Sequence, residues 1–259
     1  MPLLLVDLDN TLIDRDSAFR AAGAAFLAEY GLPNTDLAWI MSLDAGGYTA
    51  RDVVASAMSE RYEGAAPVAT IRALLDNGAA DRVVLERESK EALMLARASG
   101  WTSVIVTNGR TAQQEAKIRN TGLDRLVHGW VVSEEVGHKK PAPEIFHAAA
   151  RIAQIPLRDA WVIGDSPQAD IAGAVALGLQ SVWVSNNRSW SQEGYEPTEI
   201  SSDVASAIHR VLRRSLTSDF FLPAVASTAG DLTHQDPPNP QGQPCPGEFS
   251  ADGPTVHDG

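Results

Sequence analysis

The sequence predicts an α/β protein: a parallel sheet with helices on both faces, interrupted after its first strand by a small all-helical insertion. Three observations carry this. The run Leu3-Leu4-Leu5-Val6 is apolar without alternation, as in a strand buried on both faces. From about residue 86 onward, short β-branched runs alternate with helical stretches of roughly 10–15 residues, the pattern of parallel strands joined by crossover helices. Between the two, residues 15–85 hold helical spacing and punctuating glycines but no strand-like alternation.

After Asp14, the residues Phe19, Ala22, Phe26, Leu27 and Tyr30 recur at helical spacing until Gly31 and Pro33 stop them. Alanine-rich helical segments follow over about 37–59 and 68–80, broken at Gly46-Gly47 and Gly64. A helix over about 86–99 ends at Gly100 and leads into a strand over 103–106. A helix over about 111–120 ends at Gly122 and precedes a short strand at 130–132. The helix over about 143–154 begins with Pro143, whose missing N–H does no harm in a first turn. A strand at 161–163, a helix over 169–177 closed by Gly178, a strand at 181–184 and a last helix over about 203–213 complete the series. The expected organisation is an α/β core from 1–14 and 86–214, a helical insertion over 15–85, and a tail over 215–259.

The tail differs in composition. It carries seven of the 15 prolines and six acids with no Lys or Arg, half of the chain's net charge of −12. Such a stretch buries too little apolar surface to offset chain ordering and is expected to be disordered, with Phe220-Phe221-Leu222 its one candidate for local docking. The overall acidity argues against a nucleic-acid-binding surface but not against phosphorylated substrates, since a bound dication and a few placed cations reverse the field locally. Cys245 is the single cysteine, so no disulfide framework or cysteine zinc site is available. No window approaches the ~18 apolar residues of a membrane span. The short apolar start runs straight into Asp7 and does not read as a signal peptide, so a cytoplasmic location is expected.

The residues at the strand ends carry the functional signal. The first strand ends in Asp7 and Asp9, the second in Thr107-Asn108-Gly109, and the fourth in Gly164-Asp165; the segment after the third contains His138-Lys139-Lys140-Pro141. In a parallel sheet these ends share one edge, where ligands bind. Alone, each has an ordinary reading: Asp7-x-Asp9 as a solvated strand-end turn or helix cap, Thr107 as a turn hydroxyl, Lys139-Lys140 as a solvated charge pair, Asp165 as an N-cap. Two carboxylates buried at a strand end are costly without a cation, and hard oxygen ligands suit Mg²⁺.

These motifs, Asp7-Leu8-Asp9-Asn10-Thr11, Thr107-Asn108-Gly109, Lys140-Pro141 and Gly164-Asp165 with Asp170 five residues on, resemble in order and spacing those of the haloacid dehalogenase-like hydrolase superfamily. The likeness is to its phosphatase branch, with a Rossmann-like core and a helical, C1-type cap, and it covers about residues 1–213. The resemblance implies that Asp7 is a nucleophile forming an aspartyl-phosphate, and that Asp9 is the general acid and then base. It implies that Thr107 donates a hydroxyl to the phosphoryl group, that Asn108 and Gly109 bring backbone N–H groups to it, and that Lys140, with Lys139 the fallback, neutralises charge. It implies Mg²⁺ held by Asp7, the backbone carbonyl of Asp9, and Asp165, with Asp170 behind them holding a metal-bound water or Lys140, and Thr11 tied back to the Asp7 loop.

The expected activity is Mg²⁺-dependent hydrolysis of a small phosphomonoester; the expected partner is that small molecule, with no nucleic acid and no membrane, in a monomer or homodimer. A dehalogenase would leave Asp9 and Asp165 superfluous. A phosphomutase shares the aspartyl-phosphate, and a receiver-like phosphoacceptor module shares the acids, Thr and Lys but lacks a cap-sized insertion. The insertion is expected to act as a lid, with Arg20, Trp39, Asp44, Tyr48 and Arg51 each open between leaving-group contact and ordinary cap surface or core.

Overall fold

The computed structural model describes residues 1–218. Its sheet has six strands: β1 (Leu3–Val6), β2 (Thr102–Thr107), β3 (Gly129–Val132), β4 (Trp161–Gly164), β5 (Gln180–Val184) and β6 (Glu199–Ser201). They lie in the order β3-β2-β1-β4-β5-β6, and every pairing is parallel. The order reverses at β1: the chain steps outward through β2 to β3, then returns to the far side of β1 with β4. A crevice opens at such a reversal, beyond the C-terminal strand ends.

The continuous apolar run of β1 works because both faces are covered. Leu4 and Val6 enter one core with Ile105, Ile163 and the buried faces of α5 (Arg87–Ala98) and α10 (Val204–Ser218). Leu3 and Leu5 enter the other with Val104, Val162 and α8 (Pro143–Ala153). Register then fixes the site: Val6 pairs with both Ile105 and Ile163, so Asp7 emerges one residue past the central strand, its N–H still donating to the Ile163 carbonyl at 2.9 Å.

Between β1 and β2 stand α1 (Arg15–Glu29), α2 (Asp36–Asp44), α3 (Arg51–Arg61) and α4 (Val68–Asn77). Asp14 caps α1 by accepting from the Ser17 N–H at 2.8 Å. At the break that the sequence places at Gly46-Gly47, Ala45, Gly46 and Gly47 all take positive φ, and the resulting loop carries Tyr48 out from between α2 and α3. After β2 come α6 (Thr111–Asn120), then α7 (Ser133–Val136) behind β3, α8, and α9 (Ala172–Ala176) behind β4.

Four features differ from the sequence reading. The edge strand β6 and the one-turn α7 are unexpected, and the expected helix over 169–177 begins instead as a widened π-type turn at Pro167–Ile171. That turn carries Asp170 inward, consistent with the frequency of π-bulges at functional positions. The last helix runs on to Ser218, four residues into the expected tail. Phe220-Phe221-Leu222 and the rest of the tail lie outside the described residues.

Candidate active site

Asp7 is buried (8% exposed) at the end of β1, and its Oδ1 accepts from Lys140 Nζ at 2.6 Å. Lys140 is itself buried; its ammonium also donates to Asp170 Oδ1 (2.7 Å) and to the Val106 carbonyl (2.7 Å), so all three of its protons are used. Lys139 lines the cavity without such partners among the described residues, and His138 lies outside it, 3.7 Å from Glu144. Asn108 explains how the lysine loop is held: its side-chain oxygen accepts from the Lys140 N–H (2.8 Å) and its amide donates to the Lys140 carbonyl (3.1 Å). Thr11 Oγ1 reaches back to Asp7 Oδ2 at 3.4 Å.

Carboxylate oxygens of Asp7, Asp165 and Asp170 all lie within 4.8 Å of one another. Asp170 is committed to protein, with Lys140 on one oxygen and the Ser166 N–H on the other (3.0 Å). Asp165 Oδ2 accepts from Arg188 at 3.0 Å. Gly164 lets this cluster form, since a β-carbon there collides with the Asp170 side chain. Burial pushes the Asp7 carboxyl up to about 7; Lys140 pulls it back, while Asp170 and Asp9 add repulsion. Burial and then repulsion from Asp7 and Asp170 push Asp165 up to about 8. Lys140 stays charged because Asp170 and Asp7 outweigh its desolvation. Buried, mutually repelling carboxylates of this kind form a donor set that fits a hard divalent cation; Asp7 and Asp165 would hold it directly, with Asp170 fixing Lys140 beside them.

The Asp9 carboxylate lies outside this trio. Both of its oxygens accept from Lys117 Nζ, at 2.8 Å each, and Oδ2 also accepts from Gln114 Nε2 at 3.0 Å. Desolvation acts to raise Asp9, but the Lys117 charge and these hydrogen bonds outweigh it and hold the group below the ordinary carboxylate value. Burial lowers Lys117, and the charges of Arg15 and Arg51 add to that effect against the pull of Asp9. The two carboxyl groups of Asp7-x-Asp9 are thus pushed in opposite directions by their surroundings.

Thr107 Oγ1 accepts from the same Gln114 amide at 2.6 Å. Gly109 departs from expectation: its N–H donates to Ser133 Oγ at 3.0 Å and is not open toward a ligand. Its lack of a side chain serves another end, because a β-carbon there would stand 2.9 Å from Gln114 Cγ. Gln114 and Lys117 do not stand out in the sequence, where strand ends carry the recognisable motifs. Their signal is on α6, whose buried positions are Gln113, Gln114, Lys117 and Ile118, mostly polar where a packed helix is ordinarily apolar.

These groups surround a cavity of about 850 Å³, whose far wall is the loop between α2 and α3 with Tyr48 and Arg51. Tyr48 donates its hydroxyl to Ser166 Oγ at 2.8 Å. Asp44 sits behind that wall, fully buried between Arg15 (2.5 Å) and Arg51 (2.9 Å). Trp39 packs instead on Tyr62 and Arg61, and Arg20 is exposed, so neither reaches the cavity.

A crevice at the sheet reversal gathers acids from β1 and β4, a hydroxyl from β2 and a lysine from the loop after α7, and defines an α/β protein with an acid-rich candidate active site. Residues 1–178 match the haloacid dehalogenase-like hydrolase family, and the chain belongs to that family. Over 95 residues it is 37% identical to the pyrimidine 5'-nucleotidase YjjG of Escherichia coli, covering 36% of this chain and 42% of that protein. The match thus spans about two fifths of that relative's length. Among solved structures, YfnB of Bacillus subtilis bound to magnesium aligns with a TM-score of 0.69 at 25% identity, over 81% of this chain and 98% of that one. A 2-haloacid dehalogenase from Pseudomonas syringae shares the fold, with a TM-score of 0.56 and 24% identity over 83% and 99% of the two chains. In the described residues no helix is long and apolar enough to cross a membrane.

Proposed function

We propose that this chain is a Mg²⁺-dependent phosphatase acting on a small phosphomonoester through an aspartyl-phosphate on Asp7. Asp7 attacks phosphorus, the ester P–O bond breaks, and Asp9 gives its proton to the departing alkoxide oxygen. Asp9 then takes a proton from the water that attacks phosphorus, and the Asp7 O–P bond breaks to release inorganic phosphate. Lys117 keeps Asp9 ionised in the empty site, as the second half-reaction requires; arrival of a phosphate dianion raises its affinity for the proton that the first half-reaction uses. Thr107 and Lys140 offset phosphoryl charge. Asp7, Asp165 and the Asp9 carbonyl would hold Mg²⁺, which would supply the charge neutralisation that lets a carboxylate meet a phosphate dianion.

The observation that supports this reading best is the convergence of Asp7, Asp165 and Asp170, whose carboxylate oxygens lie within 4.8 Å of one another beside the Lys140 ammonium. Asp9 stands apart from that cluster, gripped at both oxygens by Lys117, so the two carboxyl groups of Asp7-x-Asp9 have separate surroundings for separate roles. A dehalogenase, whose halide needs no proton, would leave Asp9 and Asp165 without a task. The helices over 15–85 are read as a cap domain, with Tyr48 closing the cavity against Ser166 to exclude bulk water. A cavity of this size with the helical insertion standing across it suits a metabolite better than a phosphoprotein.

The test is a phosphomonoester panel including p-nitrophenyl phosphate, run with and without Mg²⁺. Hydrolysis that needs Mg²⁺, disappears in Asp7→Asn and falls about 100-fold or more on alkyl esters in Asp9→Asn, both variants still folded by circular dichroism, supports the reading. Wild-type turnover in Asp7→Asn removes the covalent mechanism.

A further inference from the structure

Gln114 and Lys117 stand one helical turn apart on α6, on the face toward the sheet. Their contacts form a closed circuit. Lys117 Nζ donates to both Asp9 oxygens and to Gln114 Oε1, all at 2.8 Å. Gln114 Nε2 donates to Asp9 Oδ2 (3.0 Å), Thr107 Oγ1 (2.6 Å) and, more weakly, the Asn108 carbonyl (3.4 Å). Both residues are 1% exposed. The amide orientation is fixed by its surroundings: an ammonium lies on the oxygen side and only acceptors on the nitrogen side, so the flipped amide would face acceptors with its oxygen.

We propose that Gln114 and Lys117 are paired positioning residues that align the Asp9 carboxylate with the leaving-group oxygen and aim the Thr107 hydroxyl proton at the phosphoryl group. The inference rests on the phosphatase reading of the same site. Its first half follows from the bidentate grip: a carboxylate held at both oxygens by one ammonium and steadied by an amide has lost its freedom to rotate about its last two bonds, and alignment within a fraction of an ångström is worth orders of magnitude in rate. Its second half follows from hydrogen-bond direction. Thr107 Oγ1 accepts from Gln114, so its own proton points elsewhere, and Thr107 is buried in the lining of the cavity, where phosphoryl charge would be the acceptor. Gly109 belongs to the same device, since a side chain there would press on Gln114.

The experiment compares kcat/KM for an alkyl phosphate, such as glycerol 3-phosphate, with that for p-nitrophenyl phosphate. Alkoxide departure needs the Asp9 proton, whereas p-nitrophenolate leaves with little help. Lys117→Met is expected to lower kcat/KM for the alkyl ester about 100-fold and for the aryl ester less than tenfold, in line with the 10²–10⁴ range of general acid catalysis. Lys117→Arg should recover part of the alkyl rate. Gln114→Met should lower both esters by a similar factor of about ten, through Thr107, and the alkyl ester further. In the Asp9→Asn background, Lys117→Met should cost less than threefold more, because its effect passes through Asp9.

Equal losses on the two esters in Lys117→Met, or full additivity with Asp9→Asn, overturn the inference while leaving the phosphatase reading intact. Wild-type alkyl turnover in Asp9→Asn overturns both. Should Lys117→Met fail to fold, Lys117→Arg against Gln114→Met carries the same ester comparison.

Discussion

Tyr48 donates its hydroxyl to Ser166 Oγ across 118 residues of sequence, while 72% of the residue stays exposed. The ring is therefore largely exposed, and among the described residues it is the hydroxyl that hydrogen-bonds the loop between α2 and α3 to the rim of the acid cluster. Ser166 in turn accepts from the Ala169 N–H and donates its own N–H to Asp170.

Tyr48→Phe removes that single tie. One partly exposed hydrogen bond is worth about 1 kcal/mol, roughly fivefold in an equilibrium constant. The expected outcome is a KM raised about three- to tenfold with kcat within twofold, a melting temperature nearly unchanged, and faster proteolytic cleavage between residues 45 and 50. Unchanged KM and unchanged cleavage would show that the contact does not hold the cavity closed.

Lys140→Met leaves Asp7 and Asp170 buried against each other without their shared cation. Breaking a buried ion pair from one side costs about 3–5 kcal/mol. Chemical denaturation should show a loss of that order alongside turnover at background. Lys139→Met, at an exposed position on the cavity wall, should change stability by less than about 0.5 kcal/mol. If the two variants behave alike, the assignment of the buried lysine is wrong.

The acid cluster sets a pH dependence for the metal-free protein. Asp7 and Asp165 rise from the ordinary 3.8 to about 7 and about 8. Between those limits the folded chain keeps protons that the unfolded chain has lost, so stability falls as pH rises through the window from about 4 to 8. Calorimetry in a chelator should show a melting temperature that declines from pH 5 to pH 8. Added Mg²⁺ at about 100 times its dissociation constant should contribute about 2.7 kcal/mol, or roughly 5–10 °C for a domain of this size, with the larger effect at pH 8. In Asp165→Asn both the decline and the Mg²⁺ response should shrink. A melting temperature that rises with pH in the chelator would contradict the reading of the cluster.

How much of the fold and the site was legible in the sequence depends on where each signal is stored. β1 is written in four apolar residues, and Asp7, Thr107, Lys140 and Asp165 sit at strand or loop ends that a parallel sheet must gather on one edge. β6 was not legible: Glu199-Ile200-Ser201 is short and half polar, and it is a strand only because Val182–Val184 of β5 offers it a free edge. Gln114 and Lys117 were not legible as site residues because a polar helix position reads as solvent-facing until the packing is known; their i, i+3 spacing beside buried Ile118 was the available hint. Arg15 and Asp44 belong to the same class. Arg15 carries no signal of its own, and Asp44 stays open between leaving-group contact and ordinary cap surface or core until the packing sets the two against each other.

That pairing gives a stability outcome that separates buried from exposed charge. Asp44 is 0% exposed; it accepts from Arg15, Arg51 and the Gly47 N–H (2.9 Å), and so it holds together the start of α1, the end of α2 and the start of α3. Arg15 is 2% exposed, and its Nη2 already lacks a partner among the described residues. Asp44→Asn keeps the shape but removes the charge, leaving two guanidinium groups facing each other with half-exposed Asp16 and the Asp9 charge to answer Arg15. The loss should approach the 3–5 kcal/mol of a broken buried pair, a drop of about 10 °C in melting temperature. The matched control is Asp52→Asn, which breaks a pair with Arg72 whose side chains are 79% and 54% exposed; solvent screening should keep its cost under about 1 kcal/mol. Thermal melts of the two variants, side by side at neutral pH, decide it: equal shifts would mean that the Arg15–Asp44–Arg51 cluster does not anchor the helices of the insertion.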